Sequence, residues 1–188
     1  MDLTVIIATY GSSAWRDLAL DRAAPSAVTQ AQTIVHHDLG RSIAKARNHA
    51  ASKATTRWLC FLDADDELAP GYAAAMHEAH GDLRAPAVSW IKDARETPPR
   101  TLDDRHIEQM NPCVIGTLIR RDLFTALGGF HDWPAWEDWA LFLTAARRGA
   151  KIEHVRAAVY RAHVRKGSRN RTVNNPSELH AQILQASR

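Results

Sequence analysis

Three aspartates stand directly behind an apolar run in the middle of the chain. The run covers residues 58–62 (WLCFL), and the acids are Asp63, Asp65 and Asp66. The run is too short for a helix and lacks polar alternation, so it predicts a buried central strand. Carboxylates this close together repel one another unless a cation neutralises them, and ligands of open α/β sheets bind outside the carboxyl ends of the strands. The pattern favours a Mg²⁺ or Mn²⁺ site; the alternative is a solvated acidic loop before the next helix.

A second pair of acids, Glu137 and Asp138, begins a helical segment that ends at Gly149. The neighbouring aromatic residues are Trp133, Trp136 and Trp139. Helical spacing places Asp138 on the same face as the apolar residues 141, 142 and 145, so its carboxylate is expected to point inward. An inward carboxylate favours a general base, with Glu137 positioning the group to be deprotonated and the indoles shaping the site. The alternative is that both acids only stabilise the helix N-terminus, by about 0.3–1 kcal/mol.

A basic, hydroxyl-bearing segment follows the last predicted strand. Its donors are Arg161, His163, Arg165, Lys166, Ser168, Arg169 and Arg171. Guanidinium and ammonium groups suit a diphosphate, because they neutralise the charge that develops on such a leaving group. The alternatives are a basic surface tail and a nucleic-acid patch.

The strands and helices that must position these residues alternate along the chain, as in α/β proteins. Strands are predicted at residues 3–9, 33–37, 58–62, 87–90 and 114–120, with a further strand after residue 151, and helices at 14–24, 42–54, 71–80, 121–127 and from 137 and 175. Pro25 is expected to break the first helix, and the last helix is expected to pack on the sheet. Strands alternating with helices indicate βαβ units and a parallel sheet. Residues 92–109 are polar and aperiodic, which predicts a mobile loop over the site.

Length and composition limit the classes of protein to which the chain can belong. The chain has 188 residues, of which 45% are hydrophobic, and a net charge of +3, which predicts one globular domain that accepts anionic ligands without requiring nucleic acid. Cys60 and Cys113 form no C-x-x-C motif and are expected to be reduced core thiols, as in a cytoplasmic protein. No signal peptide and no apolar run of transmembrane length are recognisable, so a soluble chain is expected.

Several motifs together resemble the family 2 glycosyltransferases, which have the GT-A fold. They are ARN at 46–48 and FLDADDELAP at 61–70, extended by GGF at 128–130 and the Glu-Asp pair at 137–138. The resemblance implies an α/β, Rossmann-like fold with a mostly parallel central sheet flanked by helices. It divides a single domain, residues 1–188, into a nucleotide-sugar-binding half at 1–90 and an acceptor half at 111–172.

The resemblance also implies roles for individual residues. Thr9 and Tyr10 would lie against the nucleotide base, although Tyr10 is equally compatible with an ordinary strand-end aromatic. Asp38 would grip the base or ribose, Asp63 would contact the ribose, and Arg47 with Asn48 would contact the nucleotide or its phosphates. The residues implied for the metal and diphosphate site are Asp65, Asp66, His163, Arg161 and Lys166.

The resulting hypothesis is a metal-dependent, inverting glycosyltransferase of the hexosyltransferase type. It would use Mn²⁺ or Mg²⁺ and a nucleotide diphosphate sugar, with Asp138 as base and a glycan, protein or modified DNA as acceptor. Two alternatives stay open: a nucleotidyltransferase, and a non-enzymatic module that binds glycans or nucleic acid through its six tryptophans and basic segment. The turn GSSAW after the first strand lacks the Gly-rich basic loop expected of a nucleotidyltransferase.

Overall fold

A single β-sheet runs through the part of the chain that the computed structural model describes, residues 2–40, 42–102, 106–165 and 173–187. Within these residues the spatial order of the strands is β2-β1-β3-β7-β5-β8-β4, with β6 paired to β5. The strands are β1 (Leu3–Tyr10), β2 (Gln32–Asp38), β3 (Trp58–Phe61), β4 (Glu67–Leu68), β5 (Leu83–Lys92), β6 (Arg95–Glu96), β7 (Leu118–Arg120) and β8 (Ile152–His163). The long pairings, β1 with β2 and β5 with β8, are parallel, as predicted.

Strand direction decides which residues share an edge of the sheet. Strand β7 is short and antiparallel to both β3 and β5, so β3 and β5 run in the same direction. The carboxyl ends of β1, β3, β5 and β8 therefore lie at one edge, which is where open α/β sheets bind ligands.

The described residues also form helices. They are α1 (Ser13–Leu18), α2 (Ala24–Val28), α3 (Ile43–Ala51), α4 (Tyr72–His77), α5 (Arg121–Ala126), α6 (Glu137–Arg147) and α7 (Pro176–Ala186). Ser42 caps α3 as predicted, because its hydroxyl accepts a hydrogen bond from Lys45 N at 3.1 Å. Mixed strands and helices around a mostly parallel sheet confirm the predicted fold class.

The main core lies between the sheet and its helices. β1 is buried from Leu3 to Thr9, and α1 and α3 both contact it, which agrees with its continuous apolar sequence. Phe61 of β3 packs against Phe124 and Phe130, with ring centroids 5.3 and 4.7 Å away. Those two rings come from the segment before α6, so this aromatic cluster fixes that segment against the end of β3.

Several element predictions were wrong in extent or packing. Pro25 does not end the first helix: a π-helical turn, Ala19–Ala23, leads from α1 into α2, where the proline occupies the first turn and needs no amide donor. The 92–109 segment is not simply a loop, because β6 forms a hairpin with β5 and Arg100 exchanges two backbone hydrogen bonds with Val88.

The last helix also packs differently from the prediction. Leu179 and Ile183 of α7 join Trp139 and Leu143 of α6 in a second apolar cluster, separate from the sheet core. Apolar residues four apart show that a helix has a buried face, but they do not identify what covers that face.

Both cysteines are buried thiols, as predicted. No helix in the described part of the chain has the length and apolar character needed to cross a membrane. The cytoplasmic location remains a prediction.

Candidate active site

A cleft of about 590 Å³ opens at the edge of the sheet where the carboxyl ends of β1, β3, β5 and β8 meet. Its volume is within the range of small-molecule sites. Its walls contain Thr9, Tyr10, Trp15, Arg47, Asp63, Asp65, Asp66, Trp90, Glu137, Asp138, Tyr160, His163 and Arg165. The cleft therefore brings together the acids after β3 and the acids that begin α6, which were predicted from separate parts of the sequence.

Arg47 joins those two groups of acids. One guanidinium nitrogen donates to Asp63 Oδ1 at 2.6 Å and the other donates to Glu137 Oε1 at 2.6 Å. The side chains of Arg47 and Glu137 are only 6% and 4% exposed, whereas Asp63 is 40% exposed. Burial alone would lower the pKa of Arg47, but the charges of Asp63 and Glu137 raise it well above its ordinary value. The arginine is therefore a fixed positive charge between the two halves of the site.

Two further side chains, Asn48 and Ser42, hold helix α3 against the segment before α6. The Asn48 side chain donates to Phe130 O at 2.8 Å and accepts from Phe130 N at 2.9 Å. Ser42 donates to Asp132 Oδ1 at 2.7 Å. The approach is close enough to require glycine at 129, where φ is +73° and a Cβ would lie 2.5 Å from Asn48 Oδ1. In this structure Arg47 and Asn48 of the ARN motif contact other residues of the chain, whereas the resemblance implies contacts to the nucleotide or its phosphates.

Asp65 is a partly exposed acid of the cleft wall, and its pKa is shifted. Burial and the neighbouring charge of Asp63 raise its pKa, against the opposing effect of Arg165. Arg165 Nε lies 3.3 Å from Asp65 Oδ2, and Arg22 donates to the Asp65 carbonyl at 3.0 Å. A carboxylate with this surplus of nearby negative charge is suited to a cation or to a cationic side chain.

Asp66 also borders the cleft but is buried and is held by β8. Its two oxygens accept hydrogen bonds from Tyr160 Oη and from His163 N, both at 2.7 Å. Burial, with the charges of Asp63 and Asp65, raises the pKa of Asp66 to about 8. His163 Nε2 lies 3.0 Å from Glu67 Oε2, which sequence reasoning did not single out.

These contacts bear on the predicted metal ligands. Among the residues that the structure describes, no three His, Cys, Asp or Glu side chains are grouped as a metal site. The donors that face the cleft nevertheless fit a hard divalent cation held mainly by a bound diphosphate, because such ions commonly take only one or two carboxylates from the protein. Asp65 fits that role best, since the oxygens of Asp66 already accept hydrogen bonds from Tyr160 and His163.

Asp138 stands at the start of α6, half-buried in the wall of the cleft. Asn111 donates to its Oδ2 at 3.0 Å. Burial and the adjacent charge of Glu137 raise the pKa of Asp138 to about 6, although Arg47 acts in the opposite direction. The residue before the pair, Trp136, has φ +61°, a conformation that bulky residues rarely adopt and that orients the first turn of α6. A carboxylate with this pKa is mostly ionised at neutral pH and is more basic than an ordinary aspartate.

The residues predicted to bind the nucleotide are not all in one place. Thr9 and Tyr10 line the cleft, and the Thr9 hydroxyl lies 2.9 Å from His37 Nδ1. Asp38 accepts from Gly40 N at 2.5 Å within its own turn and is not part of the cleft wall. Arg161 donates to Glu96 at 3.1 Å and also lies outside that wall. Lys166 and the remainder of the basic segment through residue 172 lie outside the described residues.

The aromatic wall differs from the one predicted. Trp139 belongs to the second apolar cluster, and Trp133 and Trp136 pack against it. The indoles that line the cleft are instead Trp15 and Trp90. Their positions after β1 and at the end of β5 carried the only sequence signal: each is an aromatic residue at the carboxyl end of a strand or just beyond it.

Comparison with known proteins shows which family and which solved structures the chain resembles. The model of Glycosyl transferase family 2 matches residues 27–137. S. aureus TarS 1-349 in complex with UDP-GlcNAc has a TM-score of 0.69 at 19% identity, covering 100% of this chain and 65% of that one. S. aureus TarS 1-349 in complex with UDP has a TM-score of 0.60 at 17% identity, covering 100% and 70%. No curated protein matches the chain.

The two kinds of match carry different weight. At this identity the structural likeness establishes the GT-A fold, and the chain spans about 65% of the length of the first of these structures. The family model covers residues 27–137, more than half of the chain, including the Arg47 bridge and the strand-end acids. The chain therefore belongs to glycosyl transferase family 2.

Proposed function

We propose that the protein is a metal-dependent, inverting glycosyltransferase that moves a sugar from a UDP-sugar to an acceptor hydroxyl. The observation that carries this proposal is the single cleft in which the acid Asp65 and the raised-pKa acid Asp138 face the same space. One acid suits the diphosphate of a donor and the other suits the proton of an acceptor. The choice of UDP is supported by the TarS structures, which contain UDP or UDP-GlcNAc.

The donor would lie across the carboxyl ends of the strands. Thr9, Tyr10 and Trp15 stand on the β1 side of the cleft and offer a polar group and two aromatic faces for a nucleotide base. Asp65 and Arg165 follow toward the centre and suit the diphosphate. A divalent cation held by Asp65 and the diphosphate would neutralise the charge of the leaving group.

The chain's own residues would perform the proton transfer. The Asp138 carboxylate takes the proton of the acceptor hydroxyl while that oxygen forms a bond to the anomeric carbon of the donor sugar. The bond between that carbon and the diphosphate oxygen breaks, and the diphosphate leaves with the electron pair. Attack from the face opposite the leaving group inverts the anomeric configuration.

The binding half of the proposal is tested by calorimetric titration of UDP, GDP and dTDP with and without Mn²⁺. We expect UDP to bind in a Mn²⁺-dependent manner, and Asp65→Ala to lose that dependence. Asp17→Asn is the matched control, because Asp17 is an exposed acid paired with Arg16 outside the cleft wall. Absence of binding by all three nucleotides would contradict the proposal and favour a non-enzymatic binding module.

The catalytic half is tested with Asp138→Asn. The amide is close in size to the carboxylate but cannot accept the proton, so we expect UDP binding to change little while transfer falls by at least about 100-fold. Equal loss of binding and transfer would count against Asp138 as the base.

A further inference from the structure

The six tryptophans divide into three groups according to what they pack against. Trp58 belongs to the main core, and Trp133, Trp136 and Trp139 belong to or pack against the second cluster. Trp15 and Trp90 are absent from both clusters and line the cleft. An indole that contributes to neither core and faces a polar cleft is available to a ligand.

Trp90 is held by three contacts that do not involve the core. Its backbone N donates to Thr97 Oγ1 at 2.9 Å, and its carbonyl O accepts from Thr97 N at 3.0 Å. The turn between β5 and β6 is closed by Asp93 and Ala94, both at positive φ, as in the tight type I′ hairpin. The Arg100 guanidinium lies 4.7 Å from the centre of the indole ring. The hairpin therefore holds the Trp90 backbone, and the Arg100 guanidinium lies against the indole ring.

The strand order indicates which part of a donor or acceptor meets this ring. Across the sheet, β1 carries Thr9 and Tyr10, β3 leads into the acids, and β5 carries Trp90 beyond β7. Trp90 pairs in register with Ala162 of β8, and its neighbour Ile91 pairs with His163. The indole thus lies on the side of the acids opposite the nucleotide side, where the diphosphate ends and a sugar begins.

We propose that Trp90 is the sugar-stacking wall of the site, with Arg100 as its positioning residue. A pyranose ring presents a face of C–H groups that packs on a flat apolar indole while its hydroxyls reach polar groups around it. This inference rests on the proposed glycosyltransferase function and adds to it the residue that recognises the sugar. The pyranose is either the donor sugar or a sugar of the acceptor, and binding measurements distinguish the two.

The first measurement compares UDP with UDP-GlcNAc in calorimetric titrations of wild type, Trp90→Ala and Trp90→Phe. If Trp90 stacks on the donor sugar, Trp90→Ala weakens UDP-GlcNAc binding by about tenfold and leaves UDP binding unchanged. Trp90→Phe retains most of the affinity, because a smaller aromatic face remains. Trp133→Ala is the control, since it removes an indole that packs on the second cluster outside the cleft wall.

The second measurement follows UDP release with methyl glycosides of glucose, galactose, mannose and N-acetylglucosamine as acceptor probes. If Trp90 stacks on the acceptor, Trp90→Ala raises the KM for the glycoside by about tenfold and leaves the KM for UDP-GlcNAc unchanged. Arg100→Gln should shift the same parameter in the same direction by less, and Arg100→Lys should restore it, because lysine keeps a cation over the ring.

Either selective effect supports the inference. Trp90→Ala that weakens UDP and UDP-GlcNAc alike, or that changes neither the preference for UDP-GlcNAc nor the glycoside response, overturns it. Failure of the wild-type protein to bind UDP or UDP-GlcNAc overturns the proposed function and this inference together, so the two failures are distinguishable.

Discussion

Replacing Arg47 by methionine should be one of the most destabilising single changes at the site. The substitution removes both hydrogen bonds of the bridge and leaves Glu137, 4% exposed, without the arginine beside it. Removing one partner of a buried ion pair costs about 3–5 kcal/mol. The Asp63 side of the bridge adds little, because that carboxylate is 40% exposed and water replaces much of the interaction. For a chain of this size, 3–5 kcal/mol corresponds to a fall in Tm of roughly 6–20 °C.

The assay is urea unfolding followed by circular dichroism at fixed pH. Arg16→Met is the matched control: Arg16 forms a 2.8 Å ion pair with Asp17, but both side chains are about half exposed, 49% and 56%, so less than about 1 kcal/mol should be lost. The double variant Arg47→Met/Glu137→Gln should recover part of the loss, because the buried charge is gone. Loss of less than about 1 kcal/mol by Arg47→Met, or no coupling in the double variant, would refute the buried-bridge reasoning.

Three further predictions follow from the same region. The kcat/KM for transfer should fall about tenfold per pH unit below about 6, because the proposed base, Asp138, has a pKa of about 6 and must be ionised to accept the proton; a profile flat to pH 5 would contradict it. Asn48→Ala should cost about 1–3 kcal/mol in urea unfolding, because both backbone groups of Phe130 lose their partner, and Ser52→Ala on the exposed end of α3 is the control. Gly116→Ala should cost about 1–3 kcal/mol and weaken UDP binding, because a Cβ there would collide with the Tyr160 ring that holds Asp66; unchanged unfolding would contradict it.

The sequence was most informative where the signal was local. A buried strand ending in acids can be recognised within ten residues, and the structure places Asp63, Asp65 and Asp66 directly after β3. The face of α6 was also predictable, because three- and four-residue spacing sets which side chains lie beside Asp138. Both groups of acids line the cleft, although their chemical roles remain predictions.

Contacts between distant segments were not predictable. Nothing near Arg47 indicates that its partners are Asp63, 16 residues away, and Glu137, 90 residues away. Arg161 is basic and close to His163, yet it is directed to Glu96, which only the β5–β6 hairpin brings within reach. The residue type determines the charge of a side chain, but the pairing of strands determines which charged group lies beside it.

The apolar clusters illustrate the same limit. Three tryptophans near two acids suggested a sugar wall, but α7 provides the apolar face that covers Trp139. Trp90 carries little sequence signal, because it is the last residue of a short predicted strand and precedes a polar segment. Its access to the cleft depends on β8 lying beside β5, a pairing set by residues about 70 positions later.

The contacts of helix α3 also determine when, during synthesis, the chain can form the complete cleft. Ser42, Arg47 and Asn48 bind partners 82 to 90 residues further along, so each contact closes a long loop. Synthesis proceeds from the N-terminus, and the first half of the chain emerges before Phe130, Asp132 and Glu137 exist. The acids after β3 are therefore made well before the arginine beside them gains its second partner, and the nascent chain acquires a complete cleft only after α6 and β8 have left the ribosome.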